Sequence, residues 1–516
     1  MWLLLEAFIF SSFVKETRLL VLVPPALVLL IALAASLINF DGFLAWASGV
    51  HTSILENFGW LFSLGAFSAV VLIIAIYFSP LGSVRIGGKN AKPILKPWNW
   101  FAITLCTTIA TGILFWGTAE PLFHLNGPPD FAGVDARSEG AAIFALSTVY
   151  LHWAFTPYAI YTVPALAFAI AYHNLGKGYS LSAPLSMVFG PLANGASAAV
   201  IDAVALFALV AGVAASLGAG IMSLIGGAGA IAGIPDTPFM RLIITVLIVC
   251  VFVVSSISGL QRGIKTLSDL NIRIFFLFAI FVFVAGPTMV ILAMGGKSIV
   301  QYGVDFLPRS LSFIGGVDQW TRDWTIFFFA NWLAWAPVTA LFLGRIAVGY
   351  TVRAFILINM ILPSLFGILW MTIFGAAAID ADLATSALTT ALENDGPESV
   401  AYALFDVLPF VSVVTVVFVL VTFVSFVTAM DSNTHSISSL CLKNNAIDGA
   451  PKRAGLWLKI FWGVLIGAVA WIMTATTGID GIRMLVNLGG GPGLLIVIGC
   501  GAALIKFMTM KKAHFD

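Results

Sequence analysis

Two aromatic-rich segments carry the residues best suited to hold a ligand. The first runs His152-Trp153-Ala154-Phe155-Thr156-Pro157-Tyr158-Ala159-Ile160-Tyr161, and the second runs from Trp324 to Pro337. Ring faces carry negative charge density, so converging rings hold a cation by its charge, even one with no hydrogen to donate. A quaternary ammonium group is such a cation. The chain has 42 Phe and 15 Trp, so most rings must be core or lipid-facing and a lone Trp says little. Spacing singles out a few. Trp332 and Trp335 are three apart and share a helix face, as do Tyr158 and Tyr161, while Trp153 precedes Tyr158 across Pro157.

Polar residues inside apolar stretches come next. Thr107-Thr108-Ile109-Ala110-Thr111-Gly112 leads into Gly117-Thr118-Ala119-Glu120-Pro121-Leu122. A span with several Thr, two Gly and a Pro is easily interrupted, and its unwound carbonyls can coordinate a cation. The plainer alternative is a kinked span whose Thr hydroxyls bond back to their own helix. Further on stands Thr428-Ala429-Met430-Asp431-Ser432-Asn433-Thr434-His435. A carboxylate at membrane depth is costly and a functional candidate by default. Asp431 equally suits a cytoplasmic helix end with a cap or a salt bridge, and Thr428, lying deeper, is the better ion ligand. The small residues Gly212, Ala214, Ala215, Ser216, Gly218, Ala219 and Gly220 read as helix packing. Acid–base chemistry from Glu120, His152 and Asp431 finds no metal-ligand cluster, phosphate-binding glycine loop or nucleophile elbow beside it. An enzyme is therefore not expected.

The elements that position these residues follow from composition. The 516 residues are 60% hydrophobic and 9% charged, against roughly 25% charged in a soluble domain. Such a chain cannot cover a water-facing surface, so its solvent is the lipid bilayer. A formal net charge of +1 and the lack of a basic stripe leave no nucleic-acid partner. The four cysteines predict no disulfide framework. Met1 to Phe13 reads as a short interfacial stretch rather than a signal peptide.

At about 20 apolar residues per crossing, the sequence predicts twelve helices. They fall near 18–38, 57–79, 99–123, 140–172, 196–232, 239–258, 271–294, 322–348, 352–377, 403–429, 456–476 and 484–508, with a short interfacial stretch near 305–317. With the N-terminus inside, nineteen of the 25 Lys and Arg fall on the cytoplasmic side and six outside. An odd helix count would spoil that partition. The reading is an all-α integral membrane protein of the inner (plasma) membrane with both termini cytoplasmic.

At these residues the chain resembles the betaine/choline/carnitine transporter family. Gly117 to Leu122 resembles its third-helix signature, and His152 to Tyr161 its fourth-helix aromatic motif. Gly259-Leu260-Gln261-Arg262-Gly263-Ile264-Lys265 and Leu267-Ser268-Asp269-Leu270-Asn271 resemble its loop before the seventh helix. Trp324 to Pro337, continuing to Arg345, resembles its eighth-helix signature.

The resemblance implies a LeuT-type 5+5 inverted repeat, helices 3–7 and 8–12, preceded by two peripheral helices. On this chain that gives residues 1–98 for the N-terminus and peripheral helices, 99–298 for the first repeat, 299–320 for an interfacial segment, 321–508 for the second repeat and 509–516 for a tail. It implies a small onium substrate at midplane in an aromatic box of Trp153, Tyr158, Tyr161 and Trp332, with Trp335 on the exit side. Asn331 and Gly112 are counted with these substrate residues. It implies sodium as coupling ion, held by carbonyls near Thr108 and Ile109 and by the Thr428 hydroxyl, with no other cofactor. Members often form trimers, so a homotrimer is expected.

The chain departs from that pattern at four places. A Gly-Met-Gly-Ile-Gly run of the sodium-coupled relatives is Thr108-Ile109-Ala110-Thr111-Gly112 here. Ala429 replaces the Ser that follows their ion-binding Thr, which removes one oxygen ligand. Tyr158 replaces a Trp of the box, and Asn331 replaces an aromatic. A sodium-independent proton symporter or substrate/product antiporter therefore stands beside sodium symport. Osmoregulated relatives carry long charged tails. Their lack here predicts uptake that is not activated by hyperosmotic shock.

Overall fold

The computed structural model describes residues 15–108, 110–257, 261–312, 317–443 and 453–515. Met1 to Phe13, Ile109 and the Gly259-Leu260 start of the loop motif lie outside the described residues. The described chain is helical, with two single β-bridges and no strand.

The helices are α1 (Leu19–Ile38), α2 (Phe40–Phe78), α3 (Pro97–Thr108), α4 (Ala110–Asn126), α5 (Glu139–Trp153), α6 (Phe155–Ala169), α7 (Ser182–Phe189), α8 (Gly195–Ala232), α9 (Pro238–Ile257), α10 (Gln261–Ala285), α11 (Thr288–Ser310), α12 (Phe327–Ile346), α13 (Leu362–Thr385), α14 (Val411–Leu440), α15 (Arg453–Thr477) and α16 (Ile479–Thr509). Among the described residues, nine helical stretches are long and apolar enough to cross a membrane, and eleven if each of two bent pairs is one span. Leu20, Ile31, Phe239, Leu277, Val284 and Leu495 are each more than half exposed on the outside of the bundle. Lipid tolerates that surface and water does not. The chain is a multi-pass membrane protein.

Several boundaries differ from the sequence reading. The second span begins at Phe40 rather than 57. The span expected at 271–294 ends at Ala285, where Gly286 and Pro287 interrupt it, and Pro287 has no N–H to continue the ladder. The segment that follows is the 23-residue α11, longer than the interfacial stretch expected near 305–317, and it carries Lys297, Asp305 and Arg309. The span expected at 403–429 is Val411–Leu440, so Thr428 and Asp431 lie inside α14 and are buried. Asp431 pairs with Lys459 of α15 at 3.8 Å, which fits the salt-bridge reading of that carboxylate.

Two spans are sharply bent. Pro97–Thr108 and Gly112–Asn126 meet at 57°, and Gln319–Pro337 and Thr339–Ile346 meet at 52°. At the second bend Pro337 has no N–H for the Leu333 carbonyl, its partner one turn back. Gly493 of α16 packs over that carbonyl, where a Cβ would collide with it. One turn away a Cβ on Gly490 would lie 2.8 Å from the Ala330 carbonyl oxygen. Small residues thus seat α16 on the α12 backbone. The small residues of α8 pack in the same manner, Gly212 against Ala334 and Trp335 and Gly220 against Phe426.

Candidate functional site

The site is built from α4, α5, α6 and α12. The α5 helix ends at Trp153 and α6 begins at Phe155, with Ala154 between them at φ −112°, ψ −118°. The chain breaks at Ala154 and not at Pro157. Pro157 sits in the first turn of α6, where a missing N–H costs nothing. The break lets Trp153 and the Tyr158/Tyr161 pair face one region from two helix ends.

Across from them, α12 presents Trp332. The Trp153 and Trp332 ring centroids are 5.0 Å apart at 87°, and those of Tyr161 and Trp332 are 5.5 Å apart at 84°. Tyr158 and Tyr161 are 6.3 Å apart at 88°. All four side chains are buried. The structure therefore brings together Trp153, Tyr158, Tyr161 and Trp332 as one chain of ring contacts.

The other expected substrate residues divide. Gly112 of α4 lies against the indole of Trp153, and a Cβ there would come within 2.5 Å of Cζ3. Trp335 is buried with its edge against Gly212 of α8, and it makes no ring contact with the four among the described residues. Asn331 is half-buried on α12. Phe328 was not singled out by the sequence reading, yet it packs on Trp153 at 5.3 Å and stacks on His152 at 4.7 Å. Its place four residues before Trp332, on the same helix face, was the available signal.

Hydrogen bonds fix the rings. The Trp332 indole N–H donates to the His152 carbonyl at 2.7 Å. That carbonyl belongs to the last turn of α5, where carbonyls lack a partner in their own helix. The Trp153 indole N–H donates to Glu120 Oε2 at 2.6 Å. Glu120 Oε1 lies 2.6 Å from His152 Nδ1 and 3.3 Å from His124 Nε2, and His152 Nε2 lies 3.1 Å from Thr325 Oγ1. The carboxylate and both imidazoles are fully buried. The sequence reading left out His124 and named Glu120 and His152 together as acid–base candidates. Their approach across 32 residues is tertiary.

The expected ion ligands Thr108 and Thr428 are buried. Thr108 Oγ1 donates to the Thr104 carbonyl at 2.8 Å and lies 3.4 Å from the Tyr158 hydroxyl. Thr428 Oγ1 donates to the Val424 carbonyl at 2.7 Å. Both hydroxyls spend their proton on their own helix and keep lone pairs for another partner. The helices that carry them, α3 and α14, pack against each other. Ile109 is outside the described residues.

An all-helical membrane bundle with a buried aromatic cluster beside its bent spans suits a solute transporter. The family model for the betaine/carnitine/choline family of transporters matches residues 20–513. The chain belongs to that family. It is 29% identical over 494 residues to the ectoine/hydroxyectoine transporter of Virgibacillus pantothenticus, covering 95% of this chain and 96% of that one. It is 30% identical over 481 residues to the betaine/ectoine transporter LcoP of Corynebacterium glutamicum, covering 90% and 74%. It is 28% identical over 466 residues to the glycine betaine transporter OpuD of Bacillus subtilis, covering 89% and 88%.

Proposed function

We propose that the chain is a secondary active transporter that imports a small quaternary-ammonium or related onium zwitterion by alternating access, with Trp153, Tyr158, Tyr161 and Trp332 as its aromatic box. Near-perpendicular packing of Trp332 against both Trp153 and Tyr161 carries this reading. Perpendicular ring faces form the corner of a cage in which a cation meets more than one face, each worth roughly 0.5–2 kcal/mol. Betaine, choline, carnitine and sulfonium analogues fit that corner. Ectoine joins them, because the names of two relatives include it.

In this reading the eleven spans and the shorter apolar α9 make twelve helices, two peripheral ones followed by a LeuT-type 5+5 repeat. The protein sits in the plasma membrane with both termini cytoplasmic and assembles as a homotrimer. Sodium is the coupling ion, between Thr108, Ile109 and Thr428. Ala429 beside Thr428 favours a second reading, sodium-independent proton symport or substrate exchange.

The test is binding of glycine betaine, choline, carnitine, ectoine and dimethylsulfoniopropionate to purified protein, read by Trp fluorescence with and without sodium. Saturable quenching that requires sodium supports the first reading. Quenching indifferent to sodium supports the second. No binding by any of the five removes the onium assignment.

A further inference from the structure

Glu120, His124 and His152 form a cluster that the proposed transport cycle leaves unused. The three are fully buried, and among the described residues the ion pairs of Glu120 are to the two imidazoles alone. The other charged groups stand behind aromatic rings. Arg309 of α11 lies over Phe144 and Trp320, and Arg483 of α16 lies over Trp324 and Phe327. Asp305 accompanies Arg309, and Asp323, Asp480 and His51 surround Arg483. An unprotonated carboxylate in so dry a place is costly unless hydrogen bonds or a proton compensate it.

The heavy-atom geometry admits more than one proton count. With the proton on His152 Nδ1, the imidazole donates to Glu120 and accepts from Thr325. With the proton on Glu120, the carboxyl donates to Nδ1 and the imidazole donates from Nε2 to Thr325. Both fit the same 2.6 Å and 3.1 Å contacts. His124 Nδ1, also buried, has no hydrogen-bond partner among the described residues and offers a further position. The cluster can therefore gain or lose a proton without moving a ring, and its titration belongs to the group rather than to one residue.

The cluster is also wired to the rings. Glu120 holds the Trp153 indole, and the His152 carbonyl holds the Trp332 indole. An anionic carboxylate on the N–H of Trp153 makes that ring richer in electrons and attracts a cation placed against it. A protonated cluster does neither.

We propose that Glu120, His124 and His152 form a proton-binding site linked to the onium site, so that binding an onium cation releases a proton from the cluster to solvent. By linkage, acidification then weakens onium binding by the same factor. This rests on the rings being the onium site. No bond other than that to the proton forms or breaks.

The experiment is calorimetric titration of the purified protein with choline and with glycine betaine. Neither solute titrates in the window from about pH 5.5 to about pH 8, in which histidine clusters respond. Each pH is run in two buffers of different ionisation enthalpy. The wild type is expected to release a fraction of a proton per ligand bound and to lose affinity several-fold at the acid end. Glu120→Gln is expected to release none and to give a flat profile. His124→Gln, should Glu120→Gln fail to fold, is expected to reduce the release. Tight wild-type binding with no proton release and no pH dependence overturns the proposal while leaving the onium site intact, as does undiminished release in Glu120→Gln. Failure of both solutes to bind at every pH removes the onium site, and the linkage with it.

Discussion

Trp153 donates its indole N–H to the buried carboxylate of Glu120 at 2.6 Å, while the opposite edge of the same ring rests on the backbone of Gly112. One side fixes the orientation of the ring, and the other leaves it no room to withdraw.

Gly112→Ala would place a methyl within 2.5 Å of the Trp153 ring. Overpacking of this kind costs typically 1–3 kcal/mol. The variant should lower both the thermal midpoint and the affinity for onium solutes. A thermal scan with binding on the same sample checks this, and an unchanged affinity would detach Trp153 from the site.

Trp332 touches Trp153 and Tyr161 and is tied to His152. Trp332→Ala removes a ring face and a hydrogen bond, and should weaken onium binding by about two- to thirty-fold, given roughly 0.5–2 kcal/mol for the face alone. Trp332→Phe keeps a face and should retain part of the affinity. Equal dissociation constants for the parent and both variants would exclude Trp332.

Thr428→Ala tests the coupling ion. With sodium bound at the Thr428 hydroxyl, the variant should need a several-fold higher sodium concentration for half-maximal uptake into proteoliposomes. An unchanged sodium dependence, or none in the parent, assigns coupling elsewhere.

Arg137 donates to Asp382 Oδ2 at 2.7 Å and to the Asp382 carbonyl at 2.8 Å, and the Asp382 side chain is fully buried. Arg137 is about a third exposed, and Asp382 keeps the Thr389 N–H and hydroxyl, so losing the guanidinium costs about 1–3 kcal/mol. Arg137→Ala should lower stability by that order, and Arg137→Ala with Asp382→Asn should recover part of it. Additive losses in the double variant would show that the pair is not coupled.

Glu398 lies in the short helical stretch Pro397–Ser399 after α13 and faces Arg241 of α9 at 3.7 Å, and burial pushes its carboxyl up from 4.5 to about 7, with Arg241 opposing and Asp236 and Asp395 adding to the rise. A carboxyl raised in the folded state holds its proton more tightly there than when unfolded. Its contribution is fully present below about pH 4.5 and is lost as pH climbs toward 7. Glu398→Gln should remove that slope. The difference in unfolding midpoint between parent and variant should widen in the variant's favour from acid to neutral pH, and a constant difference would refute it.

The membrane bundle was legible because the bilayer imposes a length and a polarity that composition alone reveals. Breaks were less so. Nothing in the residue types marks Ala154 as the point where one helix ends and the next begins, and Pro157 falls harmlessly in the first turn of α6. Tyr158 and Tyr161 could be picked out because they share a helix face, Trp332 by its spacing to Trp335, and Trp153 by its place just before Tyr158. His124 stands one turn after Glu120 and was not singled out, and only folding brings His152 to them. Trp335, at equally suggestive spacing, turned to Gly212.

The seating of α16 on α12 has a mechanical consequence. Where Gly490 and Gly493 meet the carbonyls of Ala330 and Leu333, no layer of side chains lies between the two backbones. Such a contact has nothing to shear, and it carries displacement of one helix to the other undiminished. Trp332 lies between those two carbonyls in sequence. Any movement that opens or closes the ring cluster at Trp332 is therefore borne by a two-helix strut rather than by a single rod.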